Sequence, residues 1–135
     1  MSDGVLVDTN VLLDVFTDDE RWKKWSEKAL ADALNRGRVA INPIIYAEVS
    51  IGFERVEELD DALPAALIER EELPYPAGFL AGKAFEHYRR NGGTRLTPIP
   101  DFYIGAHALA RGYALLTRDR TRYATYFPRL ELITP

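Results

Sequence analysis

Short runs of apolar residues alternate along this chain with longer segments in which apolar residues recur at every third or fourth position. The runs Val5-Leu6-Val7 and Val39-Ala40-Ile41 are rich in β-branched residues and stop at polar ones, which predicts short buried strands. Segments 22–34 and 76–88 have helical spacing, and Gly92-Gly93 ends the second of them. Strands that alternate with helices are typical of an α/β domain with a mainly parallel sheet.

The same pattern predicts the remaining elements. Because proline cannot donate to a central ladder, Leu73-Pro74-Tyr75 is expected to form an edge strand. No repeat, low-complexity tract or linker interrupts the pattern, so a single domain over residues 1–135 is expected. The other expected elements are helices over 11–16, 44–53, 56–66 and 101–111, and strands over 113–117 and 130–133.

Composition narrows the class of protein. With 47% hydrophobic and 28% charged residues, the chain resembles an ordinary soluble globule. It has neither the roughly 20 uninterrupted apolar residues of a membrane span nor the basic and apolar regions of a secretory signal, so no membrane association and a cytoplasmic location are expected. It contains no cysteine, which excludes disulfides, thiolate metal sites and cysteine nucleophiles.

The charge balance restricts how the protein can meet a polyanion. The chain has 17 Lys and Arg against 21 Asp and Glu, for a net charge of −4. Proteins that hold nucleic acid by broad electrostatics are usually basic. A phosphate-bearing partner must therefore meet a local basic patch or a metal ion held by acidic groups.

Four acidic residues occur where acid is costly. Asp8 and Asp119 directly follow apolar strands, at the sheet edge where open α/β sheets bind ligands. Glu48 lies inside a predicted helix on a face shared with Ile51, and Asp101 heads the apolar face of another helix. Burying such carboxylates requires an arginine or lysine partner, protonation, or a divalent cation held by several oxygens. The four together favour the cation.

Four segments in this order and spacing resemble the motifs of PIN-domain nucleases, and most closely the VapC-type toxins of bacterial and archaeal toxin–antitoxin pairs. The resemblance covers essentially the whole chain. The segments are Val7-Asp8-Thr9-Asn10, Ile45-Tyr46-Ala47-Glu48-Val49, Asp101-Phe102-Tyr103-Ile104-Gly105-Ala106 and Leu116-Thr117-Arg118-Asp119.

This resemblance implies a three-layer α/β/α sandwich with a mostly parallel sheet of about five strands. It also implies an endoribonuclease dependent on Mg²⁺ or Mn²⁺, restrained by a cognate antitoxin protein and assembled as a homodimer, with helix faces bearing Trp22 or Tyr46 as candidate dimer surfaces. Asn10 and Thr117 match polar positions that support the acidic residues. The implied catalytic and metal-binding positions are Asp8, Glu48, Asp101 and Asp119.

Substrate RNA would require cations close to these acids. Arg118 and Arg120 flank the last acid, and Arg95 lies near Gly92-Gly93, so all three are candidate phosphate contacts. We expect Asp8 and Asp101 to bind the principal metal directly. Glu48 and Asp119 would then bind it through water or hold a second ion.

Two other classes of protein are compatible with parts of the pattern. One is a non-catalytic binding module of the same fold, whose acidic groove binds a basic partner segment. The other is a phosphoryl-transfer protein, which also places aspartate at strand ends. The second is disfavoured because Asp8-Thr9-Asn10 lacks the second aspartate and no lysine follows a late strand.

Overall fold

A five-stranded parallel sheet lies at the centre of the computed structural model, which describes residues 2–97 and 99–135. The strands are β1 (Val5–Val7), β2 (Val39–Ile41), β3 (Glu69–Arg70), β4 (Ala114–Leu116) and β5 (Leu132–Ile133). The helices are α1 (Thr9–Phe16), α2 (Lys23–Arg36), α3 (Pro43–Ser50), α4 (Val56–Ala62), α5 (Tyr75–Arg90), α6 (Pro100–Arg111) and α7 (Arg120–Tyr126). The spatial order of the strands is β3-β2-β1-β4-β5, and every neighbouring pair is parallel.

The three central strands carry the core. Every residue of β1, β2 and β4 is buried, as expected for parallel strands that helices cover on both faces. The edge strands β3 and β5 have only two residues each, and their side chains are exposed or half-buried. Short edges limit pairing with other chains. The predicted α/β class and three-layer sandwich are therefore confirmed.

The predicted edge strand at Leu73-Pro74-Tyr75 is wrong. The edge strand is β3, where Glu69 lies opposite Ala40 of β2. Pro74 instead immediately precedes α5 in an extended conformation, and Pro76 occupies the first turn of that helix, where a missing N–H costs nothing. Because β3 is short, polar and exposed, no apolar alternation marks it in the sequence.

The ends of α3 correct the predicted helix over 44–53. Asn42 caps its N-terminus by accepting a hydrogen bond from the Ile45 N–H at 2.9 Å. The helix ends at Ser50, and Ile51 is 87% exposed, so the expected apolar face through Glu48 and Ile51 is wrong. The buried face of α3 is formed by Ile45 and Val49.

The order of the strands places a ligand crevice between β1 and β4. From β1 the chain proceeds to β2 and β3 on one side, then returns to β4 and β5 on the other. In open parallel sheets, ligands bind at such a switch point, beyond the carboxyl ends of the strands. Asp8 follows β1 and Thr117 follows β4 at this point.

Within the described residues, no helix is both long and apolar enough to span a membrane.

Candidate active site

Asp8 is the most deeply buried of the predicted acids, with 4% of its surface exposed. It caps α1, and its Oδ1 accepts a hydrogen bond from the Thr9 N–H at 2.8 Å. Its Oδ2 accepts three more, from Thr117 Oγ1 at 2.7 Å, Tyr123 OH at 3.1 Å and Asn10 Nδ2 at 3.2 Å. Asp8 is thus fixed in one orientation by neutral donors from α1, from α7 and from Thr117, which follows β4.

The electrostatic environment of Asp8 disfavours its charged form. Burial, reinforced by the charge of Asp101, raises the pKa of Asp8 to about 6, although the hydrogen bond from Thr117 opposes this change. None of the ion pairs formed among residues 2–97 and 99–135 involves Asp8. A cation placed at this carboxylate would therefore remove a substantial electrostatic cost.

Thr117 connects Asp8 to the loop that carries Asp119. While its hydroxyl donates to Asp8, its Oγ1 accepts hydrogen bonds from the Asp119 N–H at 3.0 Å and from Asn10 Nδ2 at 3.2 Å. Asp119 in turn caps α7, since its Oδ1 accepts from the Arg122 N–H at 3.3 Å. This geometry agrees with the supporting positions expected for Asn10 and Thr117.

Glu48 reaches the site from α3. The hydroxyl of Thr9 donates a 2.6 Å hydrogen bond to its Oε1, and Thr9 also donates its backbone N–H to Asp8. Because Thr9 binds both carboxylates, it fixes the position of Glu48 relative to Asp8. Glu48 is half-buried and lies beside Asp101.

Asp101 lies in the first turn of α6 with a third of its side chain exposed. Burial raises the pKa of Asp101. Arg122, whose Nε lies 3.4 Å from its Oδ2, opposes the increase, whereas the charges of Glu48 and Asp119 add to it. Asp101 is therefore close enough to the other three predicted acids for their charges to interact, and among the described residues its own partner is Arg122.

A cavity of about 220 Å³ opens at Asp101. Arg95 lies on its wall with Arg122, so two cations face the acidic group. The other two predicted phosphate contacts have other partners. Arg120 donates to Thr134 Oγ1 at 2.9 Å, and Arg118 forms a two-bond ion pair with the buried Asp14.

The donor set fits Mg²⁺ or Mn²⁺ through a small number of direct ligands. In the described part of the chain, no three His, Cys, Asp or Glu side chains lie close enough to hold an ion by themselves. Mg²⁺ retains several waters and commonly takes one or two carboxylates together with substrate phosphates. Asp8 Oδ1 accepts a single hydrogen bond from the described residues whereas Oδ2 accepts three, so Oδ1 is the oxygen with a lone pair left for an ion.

Three residues at or beside this site were not predicted from the sequence. Thr9 adjoins Asp8 in the first acidic motif. A threonine hydroxyl at the start of a helix is the feature of the sequence that could have indicated its contact with a neighbouring carboxylate. Tyr123 follows Asp119 by one helical turn, and no motif in the sequence indicates its contact with Asp8. Asp14 follows Asn10 by one turn of α1, and no pattern in the neighbouring sequence indicates its role.

The fold and the site define an α/β protein with an acidic ligand crevice at the switch point of a parallel sheet. The family model described as "PIN domain" matches residues 5–128, and the chain belongs to this family. Among curated proteins, none matches the chain in sequence.

Solved structures of toxin–antitoxin proteins share the fold at low identity. VapBC2 from Rickettsia felis, bound to a fragment of promoter DNA, matches with a TM-score of 0.74 and 18% identity over 96% of this chain and 97% of that one. VapBC-1 from nontypeable Haemophilus influenzae matches at 0.71 and 18%, over 96% of each chain. A toxin–antitoxin complex from Klebsiella pneumoniae matches at 0.68 and 21%, over 98% of each chain.

Proposed function

We propose that this protein is a metal-dependent endoribonuclease and the toxin component of a type II toxin–antitoxin system. The observation that carries the proposal is the buried Asp8, which lies beyond β1 near three other acids. It is oriented by four neutral donors and has no cationic partner among residues 2–97 and 99–135. Membership of the PIN domain family supports the same activity.

The four acids explain how a chain of net charge −4 would accept a polyanion. A bound Mg²⁺ or Mn²⁺ lowers the pKa of a coordinated water and neutralises charge on a phosphodiester undergoing in-line hydrolysis. Asp8 and Asp101 would hold the ion, and Glu48 and Asp119 would bind through water or hold a second ion. A metal ion reverses the local sign of charge, so the acidic crevice becomes attractive to phosphate.

The neighbouring side chains would set the orientation of these ligands. Thr117 and Tyr123 hold Asp8 Oδ2, and Thr9 holds Glu48 Oε1. Burial and the nearby carboxylates raise the pKa of Tyr123 far above its usual range, so its hydroxyl remains a donor at any physiological pH. Of the three predicted phosphate contacts, Arg95 is the one that lines the cavity at Glu48 and Asp101.

The proposed protein partner is a cognate antitoxin. The similar structure from Klebsiella pneumoniae is described as a toxin–antitoxin complex, and those from Rickettsia felis and Haemophilus influenzae are described as VapBC2 and VapBC-1. We propose that the antitoxin of this chain lays a segment with a basic side chain across the crevice at Asp101. Such a segment would occupy the position of the cation and exclude RNA.

We also propose a homodimer, formed through a different surface from those suggested by the sequence. The ring of Trp22 lies under the guanidinium groups of Arg21 and Arg118, and Tyr46 OH donates to Asp60 at 2.7 Å. Both side chains are half-buried within the chain. Two large side chains of α5, Tyr75 and Phe79, are 97% and 67% exposed and offer a better dimer surface.

The activity is tested by incubating purified protein with total RNA, with and without Mn²⁺. We expect cleavage that requires Mn²⁺ and is abolished in Asp8→Asn. Asp32→Asn is the matched control, because Asp32 is exposed on α2 and pairs with Lys28 at 2.9 Å. Cleavage by Asp8→Asn purified in the same way, or cleavage without added metal, would contradict the proposal.

The non-catalytic binding module remains a second candidate, favoured by the lack of three converging ligands in the described residues and by the Arg122–Asp101 pair. It predicts tight binding of a lysine- and arginine-rich peptide, weakened in Asp101→Asn, with no cleavage of any RNA in Mn²⁺. RNA cleavage that depends on Asp8 would exclude it.

A further inference from the structure

A second buried aspartate lies close to the site and has a different kind of partner. Asp14 of α1 is 2% exposed. Arg118 donates to it through two bonds, Nε to Oδ2 at 2.7 Å and Nη2 to Oδ1 at 3.0 Å. Ser26 Oγ of α2 donates a third bond to Oδ2 at 2.7 Å. This planar, two-bond geometry is the most directional that a carboxylate and an arginine can form.

Arg118 is also held by its backbone and by an aromatic ring. Its N–H donates to Asn10 Oδ1 at 3.1 Å, and its guanidinium lies over the Trp22 ring, 5.2 Å from the centroid. Asn10 and Asp14 are four residues apart and therefore lie on the same face of α1. On this face of α1, Asn10 binds the main chain of Arg118 and Asp14 binds its side chain.

The residues on either side of Arg118 belong to the candidate active site. Thr117 donates to Asp8, and the Asp119 N–H donates to Thr117. We propose that Asp14 and Arg118 form a positioning pair that fixes the loop 117–119, so that Thr117 and Asp119 hold their places relative to Asp8. The effect of this pair on metal binding and cleavage rests on the proposed function, whereas its effect on the loop does not.

This role differs from the phosphate contact expected for Arg118 from the sequence. The pair with Asp14 uses the Nε and Nη2 donors of Arg118, so a substrate phosphate cannot take these two donors without stranding a buried carboxylate, which is strongly unfavourable. A buried ion pair is also weak evidence for stability, because well-packed apolar residues often stabilise as much. Orientation is what the two-bond pair supplies and an apolar pair does not.

The test compares Asp14→Asn, Arg118→Met and the double variant with Asp32→Asn, which removes an exposed ion pair of α2. In the metal-free protein, amide exchange at Arg118 and Asp119 should accelerate about tenfold or more in the first three variants, while exchange in α5 stays unchanged. Mn²⁺ affinity, followed by the EPR signal of free Mn²⁺, should fall about 10- to 100-fold. Asp32→Asn should match the wild-type protein in both measurements.

The kinetics separate positioning from phosphate binding. A positioning pair predicts that Asp14→Asn and Arg118→Met lower kcat to a similar degree, that the double variant is no worse, and that KM and its salt dependence do not change. A phosphate contact predicts that Arg118→Met raises KM and reduces by about one the slope of the logarithm of RNA affinity against the logarithm of salt concentration. It also predicts that Asp14→Asn has kinetics close to those of the wild type. The second pattern would overturn the proposal.

The remaining outcomes of the test also support or overturn the positioning pair. If Asp14→Asn does not fold, the variant Asp14→Leu/Arg118→Met replaces both groups by apolar ones, and wild-type exchange and Mn²⁺ affinity in that protein would overturn the proposal. Accelerated loop exchange in a protein whose wild type neither binds Mn²⁺ nor cleaves RNA would support the positioning pair and refute the nuclease. Mn²⁺-dependent cleavage by the wild type, together with unchanged loop exchange in Asp14→Asn, would support the nuclease and refute the positioning pair.

Discussion

Replacing Asp8 by asparagine should stabilise the metal-free protein at neutral pH. Asp8 has its pKa raised from 3.8 to about 6, chiefly by burial. One unit of pKa corresponds to about 1.4 kcal/mol, so the ionised carboxylate costs the folded state about 3 kcal/mol above pH 6. Asparagine carries no charge and avoids this cost.

The sign of the pH dependence follows from proton binding. Between pH 3.8 and about 6 the folded state holds a proton on Asp8 that the unfolded state has released. The free energy of unfolding must therefore fall as the pH rises through this window and level off above it. The Asp8→Asn variant lacks this contribution, so the difference between the two proteins should change by about 3 kcal/mol from pH 3.5 to pH 7.

One hydrogen bond reduces the gain. If the new amide nitrogen takes the place of Oδ1, it faces the N–H of Thr9, which donates to Asp8 at 2.8 Å. Two donors then oppose each other at a cost of about 1 kcal/mol. We therefore expect Asp8→Asn to be about 2 kcal/mol more stable than wild type at pH 7, and about 1 kcal/mol less stable near pH 3.5.

The assay is urea unfolding of both proteins in EDTA from pH 3.5 to pH 8. Because the raised pKa of Asp101 affects both proteins, most of its contribution cancels in the difference between their curves, which then reports mainly on Asp8 and its coupling to Asp101. Adding Mn²⁺ at a hundred times its dissociation constant should stabilise wild type by about 2.7 kcal/mol and erase the advantage of the variant. A variant several kcal/mol less stable than wild type at pH 7, or one with the same pH slope, would refute the reasoning.

Three further outcomes are expected. Thermal stability should rise with Mn²⁺ in wild type and hardly at all in Asp101→Asn, and an equal rise in both would exclude Asp101 as a ligand. Gly105→Ala should lose about 1–3 kcal/mol in urea unfolding, because its Cβ would lie 2.6 Å from the Phe127 ring; unchanged stability would contradict this close approach. Phe79→Arg should give a monomer in light scattering with unchanged stability, since Phe79 and Tyr75 are exposed on α5; a persistent dimer would place the interface elsewhere.

The sequence predicted the fold, and it placed Asp8 and Asp119 after strands, because both depend on local patterns. A short apolar run followed by Asp8 marks a buried strand and its carboxyl end within a few residues. Ile51 was placed wrongly on an apolar helix face, and the polar strand Glu69–Arg70 was not predicted, because no local pattern governs either of them. Where α3 ends and what β3 pairs with are determined by contacts with distant segments.

The contacts that orient the site could be predicted only in part. Asn10 and Thr117 belong to recognisable motifs, and they do surround Asp8. The contact between Tyr123 and Asp8 spans 115 residues of sequence, and the one between Arg118 and Asp14 spans 104. From sequence alone, an arginine beside an acidic motif indicates phosphate binding. Nothing in the neighbouring sequence reveals that Arg118 has a buried partner, Asp14, on α1.

The contrast between Asp8 and Asp14 bears directly on which acids bind a ligand. Both are almost fully buried, at 4% and 2% exposure, and both lie at or within α1. The fold places Arg118 against Asp14, yet it surrounds Asp8 with neutral donors and tolerates a cost of about 3 kcal/mol there. A carboxylate that served only the fold would gain from the same kind of partner. Under the proposed function, a cation from solution would supply the charge that no described residue places at Asp8. An arginine introduced beside Asp8 should then stabilise the protein while abolishing Mn²⁺ binding.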